Sequence, residues 1–276
     1  MANKKNLKTK MDAVLIRKYL ETHDDFGLEL FVYRNAYSRG FKVEHGGFYK
    51  DPVTGKDRQF DIRASYGPPG RQVVLSVECK NLLETYPLLI SRVKRVKGES
   101  YNEYICSQDF GDMSGEQKPA CSIYIDLLRS FYKVGDYIGK STIQIGVDDK
   151  KQFVFEDSEV FDKWSQAINS AKDLVDIAFR SHFNGRLPIS SAVIPVLVVP
   201  DDTLWVADYD ESGSLSGDPQ IANEVQFFIN REYKIEGFPP YRISHLHFFT
   251  KKGICGLFDM IANKENDDFS RRIFCL

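Results

Sequence analysis

The stretch Arg71-Gln72-Val73-Val74-Leu75-Ser76-Val77-Glu78-Cys79-Lys80 decides how this chain is read. Its β-branched and apolar residues are those of a strand. Side chains alternate across a strand, so Val73, Leu75, Val77 and Cys79 face one way, towards a core, and Glu78 and Lys80 share the other face. Upstream, Arg58-Gln59-Phe60-Asp61-Ile62-Arg63-Ala64 reads as a second strand with Phe60, Ile62 and Ala64 on one side. Gly67-Pro68-Pro69-Gly70 marks the turn between them. Phe41-Lys42-Val43-Glu44 is a third strand, followed by the turn Asp51-Pro52-Val53-Thr54-Gly55-Lys56. The result is an antiparallel meander in which Asp61 lies beside Glu78.

Two carboxylates and a lysine on adjoining strands suit few chemistries. Carboxylates bind a hard cation such as Mg2+ through oxygen and leave coordination positions for water and a phosphate oxygen. The ion stabilises charge developing in phosphoryl transfer and acidifies water. The Lys80 ammonium adds a point charge beside that water or phosphate. The competing reading of Glu78-x-Lys80 is a solvated edge or a cross-strand ion pair, the ordinary state of surface charges. The strongly apolar strand that the pair ends, and Asp61 on its neighbour, favour the metal-site reading.

Around this stretch, 276 residues are enough to bury a full core, read here as a single domain over 11–276. Hydrophobic content of 42% and charged content of 28% are ordinary for a soluble globular protein. A net charge of -2 argues against a strongly basic, histone-like binder but leaves room for local basic patches. The basic segment Met1 to Lys10 lacks the apolar region of a secretory signal and reads as a frayed end or a phosphate-contacting arm. No apolar run is long enough to span a bilayer. Cys79, Cys106, Cys121, Cys255 and Cys275 form no Cys-x-x-Cys pair. Their odd count and wide spacing predict reduced thiols in a cytoplasmic protein, without a structural zinc site.

Helical spacing predicts a helix from Met11 to about Asp25, carrying Val14, Leu15, Tyr19 and Leu20, and a second from about Phe26 to Arg39, closed by Gly40. On the second, Glu29 shares a stripe with Val32, Tyr33 and Ala36, so it either reaches solvent at the stripe's edge or points to the metal site. The segment Pro87 to Lys97 is half apolar and half basic. Arg92, Lys94, Arg95 and Lys97 on it, with Asn81 just before, are candidates for holding a nucleic-acid backbone; a solvated face is the other reading. Tyr101, Tyr104, Tyr124, Tyr132 and Tyr137 nearby read mostly as core, some as base-stacking rings. Gly135 to Thr142 does not meet phosphate-loop spacing. Ser158 to about His182 is the best helix, capped by Ser158, with Phe161, Trp164, Ile168, Ala171, Val175 and Ala178 on its apolar face and Gln166 on its polar side. Ala192 to Val199 is a central strand, predicted to start near Pro195, and Thr203 to Ala207 continues as another. Asp208 to Gly213 is an acidic turn without the closing glutamate of a calcium loop. His245 and His247 share a strand face and read as structural or surface histidines.

The order helix, strand, strand with Asp61, strand with Glu78-x-Lys80, helix, apolar strand resembles the PD-(D/E)XK nuclease superfamily, and within it the Mrr-like restriction group. The resemblance covers Phe26 to Asn81 and, more weakly, Ser158 to Asp208. It implies an α/β restriction-endonuclease-like fold: three α-β-α layers around a central mixed sheet. The core would lie at about 26–81 and 158–210, with an insertion after the catalytic strand at 82–155 and a C-terminal extension at 211–276. By resemblance, Asp61 and Glu78 are the metal-binding carboxylates, the Cys79 backbone carbonyl is a further ligand, and Lys80 positions or activates the attacking water. Glu29 matches a helical acidic residue near the metal, and Gln166 a glutamine on the following helix. The sequence departs from the pattern in having Phe60 where proline precedes Asp61, and Ser170 where a tyrosine would follow Gln166. The implied activity is Mg2+-dependent endonuclease cleavage of DNA by a metal-activated water, in restriction or defence, with Mn2+ as an alternative ion and a homodimer as the arrangement suited to cutting both strands. The alternatives are a catalytically silent nucleic-acid-binding module on a nuclease fold, and a structural or partner-binding protein.

Overall fold

The computed structural model describes residues 9–67, 70–109, 117–124, 131–156, 158–183, 190–234, 236–237, 240–263 and 268–274. Helices α1 (Ala13–Thr22) and α2 (Phe26–Ser38) lead into β1 (Lys42–His45), β2 (Phe48–Lys50), β3 (Asp57–Gln59), β4 (Ile62–Tyr66) and β5 (Arg71–Cys79). Then come β6 (Leu88–Lys94), β7 (Asn102–Asp109), β8 (Gln117–Tyr124), β9 (Tyr137–Val147) and β10 (Phe153–Glu156). Helix α3 (Ser158–Phe183) precedes β11 (Ser190–Val199), β12 (Leu204–Asp208), β13 (Gln220–Ile221), β14 (Glu224–Tyr233) and β15 (Tyr241–Thr250), and α4 (Lys251–Ala262) and α5 (Asp268–Phe274) follow. The protein is α/β, with a 13-stranded mixed sheet in the order β1-β4-β5-β11-β15-β14-β9-β6-β12-β13; β10 joins β9, and the β7–β8 hairpin branches from β11.

The period-2 pattern of β5 sorts the sheet's two faces. Val73, Leu75, Val77 and Cys79 pack with Leu28, Val32 and Ala36 of α2 and with Leu257, Phe258 and Ile261 of α4. Full burial of each such aliphatic side chain is worth about 1.5–3 kcal/mol. The opposite face meets α3: Ser76 Oγ donates to the Ala167 carbonyl at 3.0 Å, and Ile168, Ala171, Val175 and Phe179 pack near Val193 and Ile243. β11 is apolar on both sides because it runs between β5 and β15, parallel to each, under helices on either face.

Several expectations change. The strand predicted over Arg58 to Ala64 breaks at Phe60–Asp61: β3 pairs with β2 in a separate two-stranded sheet, while β4 joins the main sheet beside β5. The Phe60 ring lies beneath the Arg63 guanidinium, 4.2 Å from its centroid, and not beside Ile62 and Ala64. Between β4 and β5, Gly67 has φ +154, and a Cβ there would stand 2.0 Å from the Arg71 carbonyl oxygen, so only glycine makes this turn. Pro195 lies inside β11. It stands between the part paired with β7 (Ser190, Ser191) and the part paired with β15 (from Val196), a place where a missing N–H is tolerated.

The described strands of the segments 82–155 and 211–276 are integral to the sheet. β6 and β9 extend it, β15 adjoins β11, and α4 and α5 contribute to the core that holds α2. Long-range pairing, invisible to local periodicity, makes them so. Helix α1 forms with Asp12 as its cap, yet none of its residues is buried. No described helix is long and apolar enough to cross a membrane. The N-terminal arm and the cap position before Ser158 lie outside the described residues.

Candidate active site

The β4–β5 register pairs Ile62 with Val77, which sets Asp61 opposite Glu78 at the end of the ladder. The Asp61 Oδ2 accepts from the Cys79 N–H at 2.8 Å, and the Asp61 N–H donates to Glu78 Oε1 at 3.4 Å. Because N–H and C=O of one strand residue open to the same flank, the Cys79 carbonyl faces the Asp61 side too. The next residue extends the ladder on the other flank, Lys80 N–H donating to the Val198 carbonyl at 2.9 Å. Two sequence-derived ligands and the expected carbonyl therefore share one corner.

The group that meets them was not singled out in the sequence. Lys163 of α3 sends its Nζ to 3.1 Å from Asp61 Oδ2, 3.4 Å from Asp25 Oδ2 and 3.7 Å from Glu78 Oε2. Asp25, at the N-cap of α2, is held in place by the Asn81 N–H, which donates to its Oδ1 at 2.6 Å. Glu78 is 0% exposed, and its Oε2 has no hydrogen-bond partner. Burial, then the nearby Asp61 charge, pushes the Glu78 carboxyl well above the usual carboxylate range. Burial alone would lower the Lys163 pKa, but Asp61, Glu78 and Asp25 outweigh it and the net shift is upward. The Cys79 thiol is pushed up by burial and then by the Asp61, Glu29 and Glu78 charges.

Helix and strand geometry explains this partner. Along the shared face, α3 runs antiparallel to β5, so Glu159 meets Lys80, Lys163 meets Glu78, and Ala167 meets Ser76. Four helical residues rise about 6 Å and two strand residues about 6.6 Å, so i+4 steps on α3 keep pace with two-residue steps on β5. Further along, Arg63 reaches Ser170 Oγ at 3.1 Å and Asp173 at 2.8 Å. The stripe Glu159, Lys163, Ala167, Ser170 carried the signal. Gln166 lies off it, and it is the backbone carbonyl of Gln166 that accepts the Tyr49 hydroxyl at 3.4 Å.

Glu29 stands beside this corner. Its carboxylate meets His45 Nε2 at 2.8 Å, and burial together with the Asp61 charge raises its pKa despite that bond. Lys80, 17% exposed, pairs with the solvent-facing Glu159 at 3.0 Å. Lys80, Asn81, His23, Tyr86, Gln144 and Glu159 line a cleft of about 190 Å3, whose lining does not include Asp25, Asp61 or Glu78. Among the described residues, no group of three or more His, Cys, Asp or Glu side chains is gathered closely enough to hold a metal ion. Lys163 Nζ stands among Asp25, Asp61 and Glu78 at 3.1–3.7 Å, longer than the 2.0–2.1 Å of Mg2+ coordination.

The basic residues of the next segment divide. Arg95 is buried: its guanidinium lies 5.5 Å from the Tyr132 ring centroid and donates to Gln226 and to the Lys133 carbonyl. At 2% exposure it has no access to a nucleic-acid backbone, which withdraws that expectation. Arg92 makes a two-pronged pair with Asp208 at 2.7 and 3.0 Å. Lys94 and Lys97 are exposed. His245 and His247 are buried, as structural residues. Tyr101 and Tyr132 are buried too, and the Tyr124 side chain lies outside the described residues.

No protein-family model, no curated protein and no solved structure matches this chain.

Proposed function

We propose that this chain is a metal-dependent nuclease that hydrolyses phosphodiester bonds in DNA, built on a restriction-endonuclease-like scaffold of the PD-(D/E)XK type. The observation that carries the proposal is the corner where Asp61 and Glu78 oppose each other across β4 and β5 around a cationic group. The order α2, β1, β4, β5, α3, β11, with β5 and β11 parallel, supports the scaffold. The donor types suit a hard divalent ion: all side-chain donors are carboxylate oxygens, and the buried Glu78 Oε2 has no hydrogen-bond partner.

Bound there, Mg2+ or Mn2+ would neutralise phosphoryl charge and acidify a water. Asp61 and Glu78, with the Cys79 carbonyl, would hold the ion. Asp61 is itself fixed by the Cys79 N–H, so one side-chain oxygen is oriented by the strand. Lys80 lines the cleft and offers an ammonium to the incoming water or the scissile phosphate. Lys94 and Lys97 supply exposed positive charge for the DNA backbone. Two copies acting together would cut both strands.

The test incubates the purified protein with methylated, unmethylated, single-stranded and RNA substrates, with Mg2+ and with EDTA. Asp61→Ala is expected to abolish cleavage. Lys80→Ala is expected to lower it by roughly 10²–10⁴-fold, the range spanned by loss of a positioned proton-transfer group. Equal activity in either variant sinks the assignment. Lys163 in the cation position favours a second reading, a catalytically silent nucleic-acid-binding module. That reading predicts salt-sensitive DNA binding without cleavage under any metal.

A further inference from the structure

We infer that Lys163 is an exchangeable internal counter-ion: it holds the cation position among Asp25, Asp61 and Glu78, and a divalent cation displaces it onto Glu159, which releases Lys80 to the cleft. The inference rests on the cation site of the proposed function and extends it by a new ligand, Asp25, and a two-lysine switch.

The contacts lead to this step by step. Three carboxylates from three elements surround one ammonium at 3.1–3.7 Å. Of these oxygens, Oε2 of the fully buried Glu78 is held only at 3.7 Å by Nζ and has no hydrogen-bond partner. Such a corner is short of positive charge, and the ammonium satisfies it only at long range. A divalent ion would draw the oxygens in to 2.0–2.1 Å. It cannot share the space with Nζ, because two cations about 3 Å apart repel strongly in a poorly solvated setting. The four-carbon stem of lysine allows withdrawal without moving α3.

The displaced ammonium has a receiver on its own helix. Glu159 precedes Lys163 by four residues, and glutamate N-terminal to lysine at that spacing is the favourable orientation of such a pair. Glu159 now holds Lys80 at 3.0 Å. Once Lys163 takes Glu159, two ammonium groups compete for one carboxylate, and their mutual repulsion loosens Lys80 at the mouth of the cleft that Lys80 and Glu159 line. Lys80 would thus become available for the phosphate only when the ion is present. No bond is made or broken in the exchange; three ion pairs at Lys163 and one at Lys80 are traded for carboxylate–ion contacts and a Glu159–Lys163 pair.

The experiment uses metal alone, without nucleic acid. Mn2+ binding is measured by titration calorimetry on the full chain and on Lys163→Met, which keeps the stem and removes the charge. Removing a competing cation from contact with these carboxylates is expected to tighten binding by at least about tenfold. Asp25→Asn is expected to weaken it. In parallel, lysine acetylation of the unaltered protein is read by mass spectrometry with and without Mn2+. Labelling of both Lys163 and Lys80 should rise when the ion is added, a readout that does not depend on a variant folding. Unchanged or weaker affinity in Lys163→Met overturns the exchange, as does metal-independent labelling of the two lysines. Absence of Mn2+ binding in both proteins overturns the exchange and the metal-dependent function together. Binding that is unaffected by Lys163→Met overturns the exchange alone.

Discussion

One sheet buries two polar clusters, and they are built on opposite principles. At the end of β5, Asp25, Asp61 and Glu78 converge on the single ammonium of Lys163, with Glu29 close by. On β15 and its neighbours the buried groups are rings and one guanidinium. Tyr132 stacks on His245 with centroids 3.6 Å apart and planes 4° from parallel. Its hydroxyl meets His247 Nε2 at 2.9 Å, and Arg95 lies over its ring. Burial, then the Arg95 charge, pushes the His247 imidazole down to about 3, so it is neutral near pH 7. The second cluster is built from neutral imidazoles, a stacked phenol ring and a buried guanidinium, and in it His245 Nε2, His247 Nδ1 and Arg95 Nε have no hydrogen-bond partner. The first gathers three carboxyl groups around one lysine, and burial pushes the Glu78 carboxyl well up. The first cluster is held by charge on one ammonium, the second by stacked rings whose imidazoles stay neutral.

Neutralising one member of each cluster should separate the two most strongly. Glu78→Gln should lose Mg2+-dependent cleavage altogether while its melting temperature holds or rises, because a buried carboxylate is exchanged for a neutral group of the same shape. Arg95→Ala should do the reverse. It should lose about 2–5 kcal/mol in urea unfolding, the range for emptying a large buried site, with cleavage per folded molecule unchanged. A stable Arg95→Ala protein, or an unstable but active Glu78→Gln one, would erase the distinction.

A smaller effect follows from the imidazoles. The folded-state pKa of His247 lies below its ordinary value near 6.5, so the unfolded chain binds the proton first as pH falls. Its contribution to stability is intact above about pH 6.5 and is lost progressively from there towards pH 3. Thermal melts across that window should show the loss, and His247→Phe should flatten it. A parallel slope in the variant would place the acid sensitivity elsewhere. The smallest effect belongs to Arg92. Its pair with Asp208 is half-buried and side-chain to side-chain, so Arg92→Ala should cost at most about 1 kcal/mol. It should leave the salt dependence of DNA binding unchanged, whereas Lys94→Ala or Lys97→Ala should lower the slope by about one.

Strand parity made the Asp61–Glu78 corner legible, because alternation along β5 and antiparallel pairing with β4 leave little freedom in where those carboxylates go. Helical spacing likewise disclosed α2 and α3, and the run from Ala192 to Val199 announced a strand covered on both faces. Lys163 stayed hidden because its partner Asp61 lies 102 positions away, and only the docking of α3 against β5 brings the two together. Arg95 looked like a surface cation because charge is a property of composition, whereas its burial comes from Tyr132 and Gln226, supplied by distant segments. The same holds for β15, whose place beside β11 turns an expected extension into the middle of the sheet. By itself the sequence determined which residues share a face within each element, since backbone geometry sets the periods of 2 and 3.6 locally. Tertiary structure alone decided which faces meet, which lysine stands among the carboxylates and which arginine is sealed inside, because those outcomes depend on packing and charge balance between segments far apart in the chain.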